Sequence, residues 1–185
     1  TVLTGIGDVN ADGYEDFAVS SQFAELGNEY PYGGQTVVVY GGLDNADVTL
    51  GAGTLPGFTL SGAYPGEQIG TALAAAGDFV GVAGYPVSYF DPEPGAAFLI
   101  YGQPQGADRE LDPASFVDSH ITVFHGRDDL DRTGAAVAGI GDFDGDGYDD
   151  LAISAPAADP YGEASNDTGE VTIVYGRATR TAWTE

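Results

Sequence analysis

The sequence predicts an all-β fold made of repeated four-stranded units, and three observations support this prediction. Short runs of β-branched and aromatic residues bounded by glycine recur along the 185 residues, of which 29 are Gly. Residues 5–20 match residues 139–154 at a constant offset of 134, which identifies an internal repeat. Four short strands in about 60–75 residues fit one blade of a β-propeller. We therefore expect about three blades of four antiparallel strands, forming part of a larger propeller.

Each repeat is expected to begin with a strand of small residues. The runs at 70–76 and 134–140 are rich in Ala and Gly. A helix of about seven residues would be marginal, so both runs are predicted to be strands whose small side chains suit a crowded central channel. The acidic loop and the second strand follow. Buried third strands are predicted at residues 34–41, 95–102 and 169–176, and fourth strands at residues 58–61 and 121–124.

The chain is predicted to be one propeller segment spanning residues 1–185. Its blades cover roughly residues 1–66, 67–130 and 131–185, and the third blade shows no clear fourth strand. Three blades do not close a ring of ordinary propeller geometry, and the outer strands would leave unpaired edges. Further blades or another chain are therefore expected to complete the ring.

The composition excludes several classes of function. Five Lys and Arg residues stand against 29 Asp and Glu residues, which gives a net charge of −24. Such a protein lacks the positive field that holds nucleic acid or an anionic membrane, so we expect neither partner and no direct membrane insertion. Because there is no Cys, disulfides, thiol nucleophiles and Cys-ligated metals are excluded.

Two loops place oxygen-bearing side chains at positions 1, 3, 5 and 9. Hard oxygen ligands at alternating positions can wrap a Ca²⁺ ion, and the Gly at position 6 permits the sharp turn. The residue at position 7 would offer its backbone carbonyl. Mg²⁺ is disfavoured because it retains its waters and requires stricter octahedral geometry. The predicted metal ligands are Asp8, Asn10, Asp12, Tyr14 and Asp16 in the first loop, and Asp142, Asp144, Asp146, Tyr148 and Asp150 in the second.

These loops predict two Ca²⁺ ions per chain. The middle repeat keeps only Asp78 of the acidic set, so no ion is expected there. Position 12 of the loops is Val19 or Ile153 rather than the bidentate Glu of an EF-hand, and the flanking segments are strands. The alternative interpretation is that these aspartates are solvated turn formers.

The repeats resemble FG-GAP repeats of the integrin α-chain propeller. The resemblance rests on residues 7–20 and 141–156 and on the Gly-rich strands that close with Tyr-Gly. Ile69-Gly70 and Thr133-Gly134 stand where the family has Phe-Gly, so the Phe is absent. The resemblance implies calcium in the hairpin between a blade's first and second strands, commonly seven blades, and an extracellular or cell-surface location.

No catalytic residue is predicted, because no nucleophile elbow and no distinct pair of carboxylates is apparent. No organic cofactor is expected either. We expect a binding role in adhesion or protein–protein assembly, with a protein or glycan ligand on the face opposite the calcium loops. The alternative is a non-catalytic or carbohydrate-binding part of a glycan-active extracellular enzyme. The aromatic residues assigned to that face are Phe23, Tyr30, Tyr32, Tyr64, Tyr85, Tyr89, Phe90 and Tyr161, and the charged residues are Glu25, Glu29, Asp91, Glu93, Arg127 and Arg132.

Overall fold

The computed structural model describes residues 1–25, 32–42, 56–75, 79–84, 94–102, 108–111, 120–159 and 168–177. Across these ranges the chain forms twelve β-strands and no helix, and so no helix there has the length to cross a membrane. In chain order the strands are β1 (Val2–Gly7), β2 (Asp16–Ser21), β3 (Gln35–Val39), β4 (Gly57–Gly62), β5 (Ala72–Ala75), β6 (Phe79–Gly84), β7 (Ala96–Tyr101), β8 (Arg109–Leu111), β9 (Ile121–His125), β10 (Ala136–Gly141), β11 (Asp150–Ala155) and β12 (Glu170–Val174).

The strands form three sheets that follow the chain, which confirms the predicted all-β fold of blade-like units. The first sheet has the order β1-β2-β3-β4-β8, the second β5-β6-β7-β9, and the third β10-β11-β12 within the described residues. Consecutive strands of each sheet pair antiparallel, except that β8 pairs parallel with β4. The Ala-rich segments are strands, as predicted, and they form the first strands of the second and third sheets.

Strand β8 is the feature that the sequence did not predict. It lies within the range assigned to the second blade but pairs with β4 of the first sheet, from Leu60↔Arg109 to Gly62↔Leu111. The Asp108 carboxylate accepts a hydrogen bond from the Thr59 amide at 2.8 Å, and the Leu111 side chain is fully buried. The connection between β7 and β9 therefore reaches back and covers the outer edge of the first sheet.

The first hairpins of the first and third sheets have the same register. In both, the pairing shifts by one residue at a bulge just before the acidic loop. The corresponding pairs are Gly5↔Phe17 with Gly139↔Leu151, and Gly7↔Asp16 with Gly141↔Asp150. The offset of 134 found in the sequence is therefore also a structural equivalence.

The core consists of two apolar layers, one on each side of the second sheet. Alternate residues of β7 point to opposite faces of the sheet. Phe98 and Ile100 pack with the first sheet, whereas Ala97 and Leu99 pack with the third. The three sheets are therefore stacked face to face in chain order, as blades are.

Equivalent backbone junctions join successive sheets. Gly34 forms a parallel bridge with Ile69, and Gly95 forms the same bridge with Thr133. Both glycines have positive φ angles, 79° and 84°, and a Cβ at either position would collide with the backbone of its bridge partner. Glycine is therefore required where the third strands of the first and second sheets begin.

Candidate metal centre

The aspartate at position 9 fastens each acidic loop to the end of its sheet. Asp150 is fully buried, and its two carboxylate oxygens accept hydrogen bonds from the Phe143 amide at 2.8 Å and the Gly176 amide at 2.7 Å. Asp16 is equally buried and makes the corresponding bonds with Val9 and Gly41, at 2.9 and 2.7 Å. Each carboxylate thus joins the start of its loop to the glycine two residues beyond the end of the third strand.

The glycines after the third strands belong to this arrangement, and the sequence analysis did not assign them a role. A Cβ at Gly41 or Gly176 would collide with the carbonyl oxygen at position 8 of the loop, Glu15 or Asp149. Only glycine lets the strand end approach closely enough to donate its amide to the position-9 aspartate. The repeated Tyr-Gly that closes the third strands was the signal that could have identified them.

The aspartate at position 1 holds the turn. The Asp142 carboxylate accepts hydrogen bonds from the amides of Gly145 and Gly147, at 2.7 and 2.9 Å. In the first loop, Asp8 accepts bonds from the amides of Asp12 and Gly13, at 3.0 and 2.8 Å. In both loops one oxygen bonds the Gly at position 6, so the chain folds back over this side chain.

The aspartates at positions 1, 3 and 5 of the second loop converge. Ligand oxygens of Asp142, Asp144 and Asp146 all lie within 4.8 Å of one another, and the three residues are exposed. Three carboxylates this close repel one another unless a cation neutralises them. Their hard oxygen donors match the ligands that Ca²⁺ prefers, so the donor set fits a divalent cation.

The first loop has an amide at position 3 where the second has a carboxylate. Asn10 is buried, and its Nδ2 donates a hydrogen bond to the Asp12 carboxylate at 2.9 Å. The first loop therefore carries one negative charge fewer than the second. In addition, the Asn10 amide partly offsets the negative charge of Asp12. Burial raises the pKa of the Asp16 carboxyl, and the negative charges of Asp12 and Asp8 raise it further, against the opposing effect of its two backbone hydrogen bonds. A bound cation would counter this repulsion.

The described geometry therefore separates the predicted ligands into two groups. Positions 1, 3 and 5 of the second loop form one cluster, whereas both oxygens at position 9 are engaged by backbone amides. The aromatic rings at position 7, those of Tyr14 and Tyr148, are exposed. Whether the carbonyls at position 7 and the carboxylates at position 9 contact an ion stays a prediction. Asp78 lies outside the described residues.

Aromatic side chains are exposed at the opposite end of the first sheet from the 8–16 loop. Phe23 and Tyr32 lie on the connection from β2 to β3, and Tyr64 lies on the connection from β4 to β5. The rings of Phe23 and Tyr32 meet edge to face, with centroids 6.3 Å apart. The assigned residues that lie outside the described ranges are Glu29, Tyr30, Tyr85, Tyr89, Phe90, Asp91, Glu93 and Tyr161.

The two arginines assigned to this surface are also described, and both are exposed. Arg127 forms a long ion pair with Glu170 of the third sheet, at 3.6 Å. Because Arg127 is exposed and Glu170 is only partly buried, an ion pair at this distance contributes little to stability.

Residues 133–174 match the family model of the FG-GAP repeat. The match contains β10, β11 and β12 together with the acidic loop between the first two, and it confirms the resemblance predicted from the sequence. FG-GAP repeats commonly bind calcium, and they are typical of extracellular and cell-surface proteins. No curated protein matches the chain.

Proposed function

We propose that this chain, which contains an FG-GAP repeat at residues 133–174, is a calcium-binding propeller segment of a secreted or cell-surface protein. Its role is adhesion or protein–protein assembly rather than catalysis. The observation that carries the proposal is the convergence of Asp142, Asp144 and Asp146, whose ligand oxygens lie within 4.8 Å of one another. A propeller-type interaction domain is also what an FG-GAP repeat indicates.

The residues that would hold calcium in the second loop are Asp142, Asp144 and Asp146, with Asp150 and the carbonyl of Tyr148 completing the set. In the first loop they are Asp8, Asn10, Asp12 and Asp16 with the carbonyl of Tyr14. When bound, the ion supplies positive charge that offsets the repulsion within each loop. Since the ion binds the folded loop, it also raises the free energy of unfolding in proportion to the logarithm of its concentration above Kd.

Calorimetric titration of the metal-free chain with Ca²⁺ tests the proposal, and two ions per chain are expected. Asp146→Asn should weaken binding at the second loop, because it replaces one of three clustered carboxylates. Asp149→Asn is the matched control: it removes the same charge from an exposed residue of the same loop, outside the cluster. Absence of binding heat, or equal losses in the two variants, would contradict the proposed site.

The proposed ligand surface is the aromatic end of the first sheet, opposite the 8–16 loop. Exposed aromatic rings on connecting loops favour recognition, because they bury a large apolar area at a low entropic cost. Phe23, Tyr32 and Tyr64 form the described part of this surface. Either a protein or a glycan could be the ligand there.

A second candidate function is a non-catalytic, carbohydrate-binding part of a glycan-active extracellular enzyme. The exposed Phe23–Tyr32 pair, with the exposed Tyr64 on another connection at the same end of the first sheet, favours it, since sugars pack their apolar faces on aromatic rings. A glycan array in saturating calcium separates the two functions. Binding that is lost in Phe23→Ser and Tyr64→Ser, but retained in Val171→Ser on another exposed surface, would favour carbohydrate recognition; no bound glycan would favour a protein ligand.

A further inference from the structure

Residues 63–68, which we call the first junction turn, are held by a buried carboxylate. Glu67 is 2% exposed, and its Oε2 atom accepts hydrogen bonds from the backbone amides of Ala63 and Tyr64, the latter at 3.1 Å. A Cβ at Gly62 would lie 2.8 Å from the same oxygen, so the glycine leaves room for the carboxylate. Burial of a charge is unfavourable unless hydrogen bonds replace its lost water, and here the turn itself supplies them.

The first junction turn is also joined to the connection that carries Tyr32. The Gln68 amide donates a hydrogen bond to the Tyr32 carbonyl oxygen at 3.2 Å. The adjacent Ile69 amide donates one to the Gly33 carbonyl oxygen at 3.0 Å. Tyr32 and Gln68 have left-handed φ angles of 62° and 51°, which residues with a Cβ adopt only where surrounding contacts hold them. The turn therefore constrains the backbone at Tyr32, whose ring meets that of Phe23.

The second junction turn, residues 127–132, repeats this arrangement at an offset of 64. Asp131 stands at the position of Glu67; it is 5% exposed and accepts a hydrogen bond from the Asp128 amide at 3.0 Å. In both turns the amide of the buried acidic residue donates a bond back to the carbonyl oxygen of that same partner, at 3.5 and 3.3 Å. The partner is exposed in both, but it is Tyr64 in the first turn and Asp128 in the second. The backbone scaffold is therefore independent of the side chain that it presents.

We propose that Glu67 is a positioning residue of the proposed ligand surface: its carboxylate fixes the turn that presents Tyr64 and, through that turn, the backbone at Tyr32. The inference rests on the proposed function, because that function makes these rings the surface for a ligand. A side chain on a fixed backbone loses less conformational entropy when a ligand binds. Loss of the Glu67 carboxylate should therefore weaken binding although every aromatic ring is still present.

The positioning can be measured without a ligand, by NMR of the tyrosine rings of the full chain in saturating calcium. Tyr32→Phe and Tyr64→Phe assign the two ring signals. Glu67→Ala should shift and average the Tyr64 signals, with smaller changes at Tyr32, because two amides lose their acceptor. Glu67→Gln keeps an acceptor oxygen and should restore the signals. Asp131→Ala is the matched control, since it removes the equivalent carboxylate from the second junction turn and should leave both rings unchanged.

Unchanged ring signals in Glu67→Ala, or equal changes in Asp131→Ala, would overturn the positioning role. Hydrogen exchange on the unmodified chain gives a measurement that does not depend on the folding of a variant. The amides of Ala63 and Tyr64 should exchange at least about a hundredfold more slowly than in an unstructured peptide. Exchange at the rate of an unstructured peptide would equally overturn the role of Glu67.

The glycan array in saturating calcium adds a readout on the ligand surface itself. Glycans that are lost in Tyr64→Ser should also be lost in Glu67→Ala and retained in Asp131→Ala. Loss in Tyr64→Ser with unchanged binding in Glu67→Ala would support the ligand surface but overturn the role of Glu67. If the unmodified chain binds no glycan, the carbohydrate function alone fails, and the ring signals decide the role of Glu67.

Discussion

The acidic loops at residues 8–16 and 142–150 have the same backbone fold, but they differ in charge. In both loops, the aspartates at positions 1 and 9 accept hydrogen bonds from backbone amides. Both loops also follow the same bulge. At position 3, however, the first loop has the buried amide of Asn10 and the second has the exposed carboxylate of Asp144. At position 4, the first loop has Ala11 and the second has Gly145.

This difference shows that two properties of the loop are independent. One is the scaffold, which is the set of hydrogen bonds that holds the turn, and the other is the negative charge that a cation would neutralise. The hydrogen bonds of positions 1 and 9 satisfy the backbone of the turn without any ion. The charge at position 3 determines how strongly the remaining carboxylates repel one another. We therefore expect similar folding contributions from the two scaffolds but unequal calcium affinities.

The largest expected effect is the loss of a position-9 aspartate. Asp16→Ala or Asp150→Ala leaves two backbone amides without their acceptor, which should lower the free energy of unfolding by about 3 kcal/mol. Urea unfolding in EDTA isolates this scaffold effect from calcium binding. Glu15→Ala and Asp149→Ala remove adjacent exposed carboxylates and should change stability by less than about 0.5 kcal/mol. If only one of the two variants lost stability, the scaffolds of the two loops would not be equivalent.

The next effect concerns charge at position 3. Asp144→Asn gives the second loop the ligand set of the first, and we expect its calcium affinity to fall roughly tenfold, or about 1.4 kcal/mol. Asn10→Asp should raise the affinity of the first loop by a similar factor. Calorimetric titration of both variants with Ca²⁺ measures these two changes in affinity. Unchanged affinities would show that the position-3 charge does not distinguish the loops.

The smallest effect concerns backbone strain at position 4. Ala11 has a φ angle of 60°, a left-handed conformation that costs a residue with a Cβ more than it costs glycine, and Gly145 adopts it at 84°. Ala11→Gly should therefore stabilise the chain by about 0.5–1 kcal/mol, and Gly145→Ala should destabilise it by a similar amount. Thermal unfolding in EDTA records both. Gly145 has open space around its Cβ position, so steric collision would not confuse the comparison.

The strands could be predicted from the sequence because their signals are local. Gly-bounded apolar runs and a constant repeat offset located the first, second and third strands of the first and third repeats, and the antiparallel hairpins followed. Strand β8 could not be predicted in this way. It has three residues, two of them charged, and it exists because its backbone finds a parallel partner 49 positions earlier in β4, as in Leu60↔Arg109.

The acidic loops were predictable for the same reason, since their ligands alternate within nine residues. What the spacing could not reveal is the second partner of Asp16 and Asp150. One carboxylate oxygen of Asp16 accepts a hydrogen bond from the Gly41 amide, and one of Asp150 accepts a hydrogen bond from the Gly176 amide. These glycines lie 25 and 26 residues away, near the end of another strand. The role of Asn10 as a donor to Asp12 likewise depends on a side-chain orientation that the sequence does not specify.

The parallel pairing of β8 with β4 has a consequence for synthesis on the ribosome. The outer edge of β4 emerges 49 residues before the strand that covers it. Because the ribosome adds about 5–20 residues per second, this edge stays unpaired for about 2–10 seconds before β8 is synthesised. During that interval its backbone amides and carbonyls are open to neighbouring nascent chains, so crowded polysomes are where mispairing of this protein would begin.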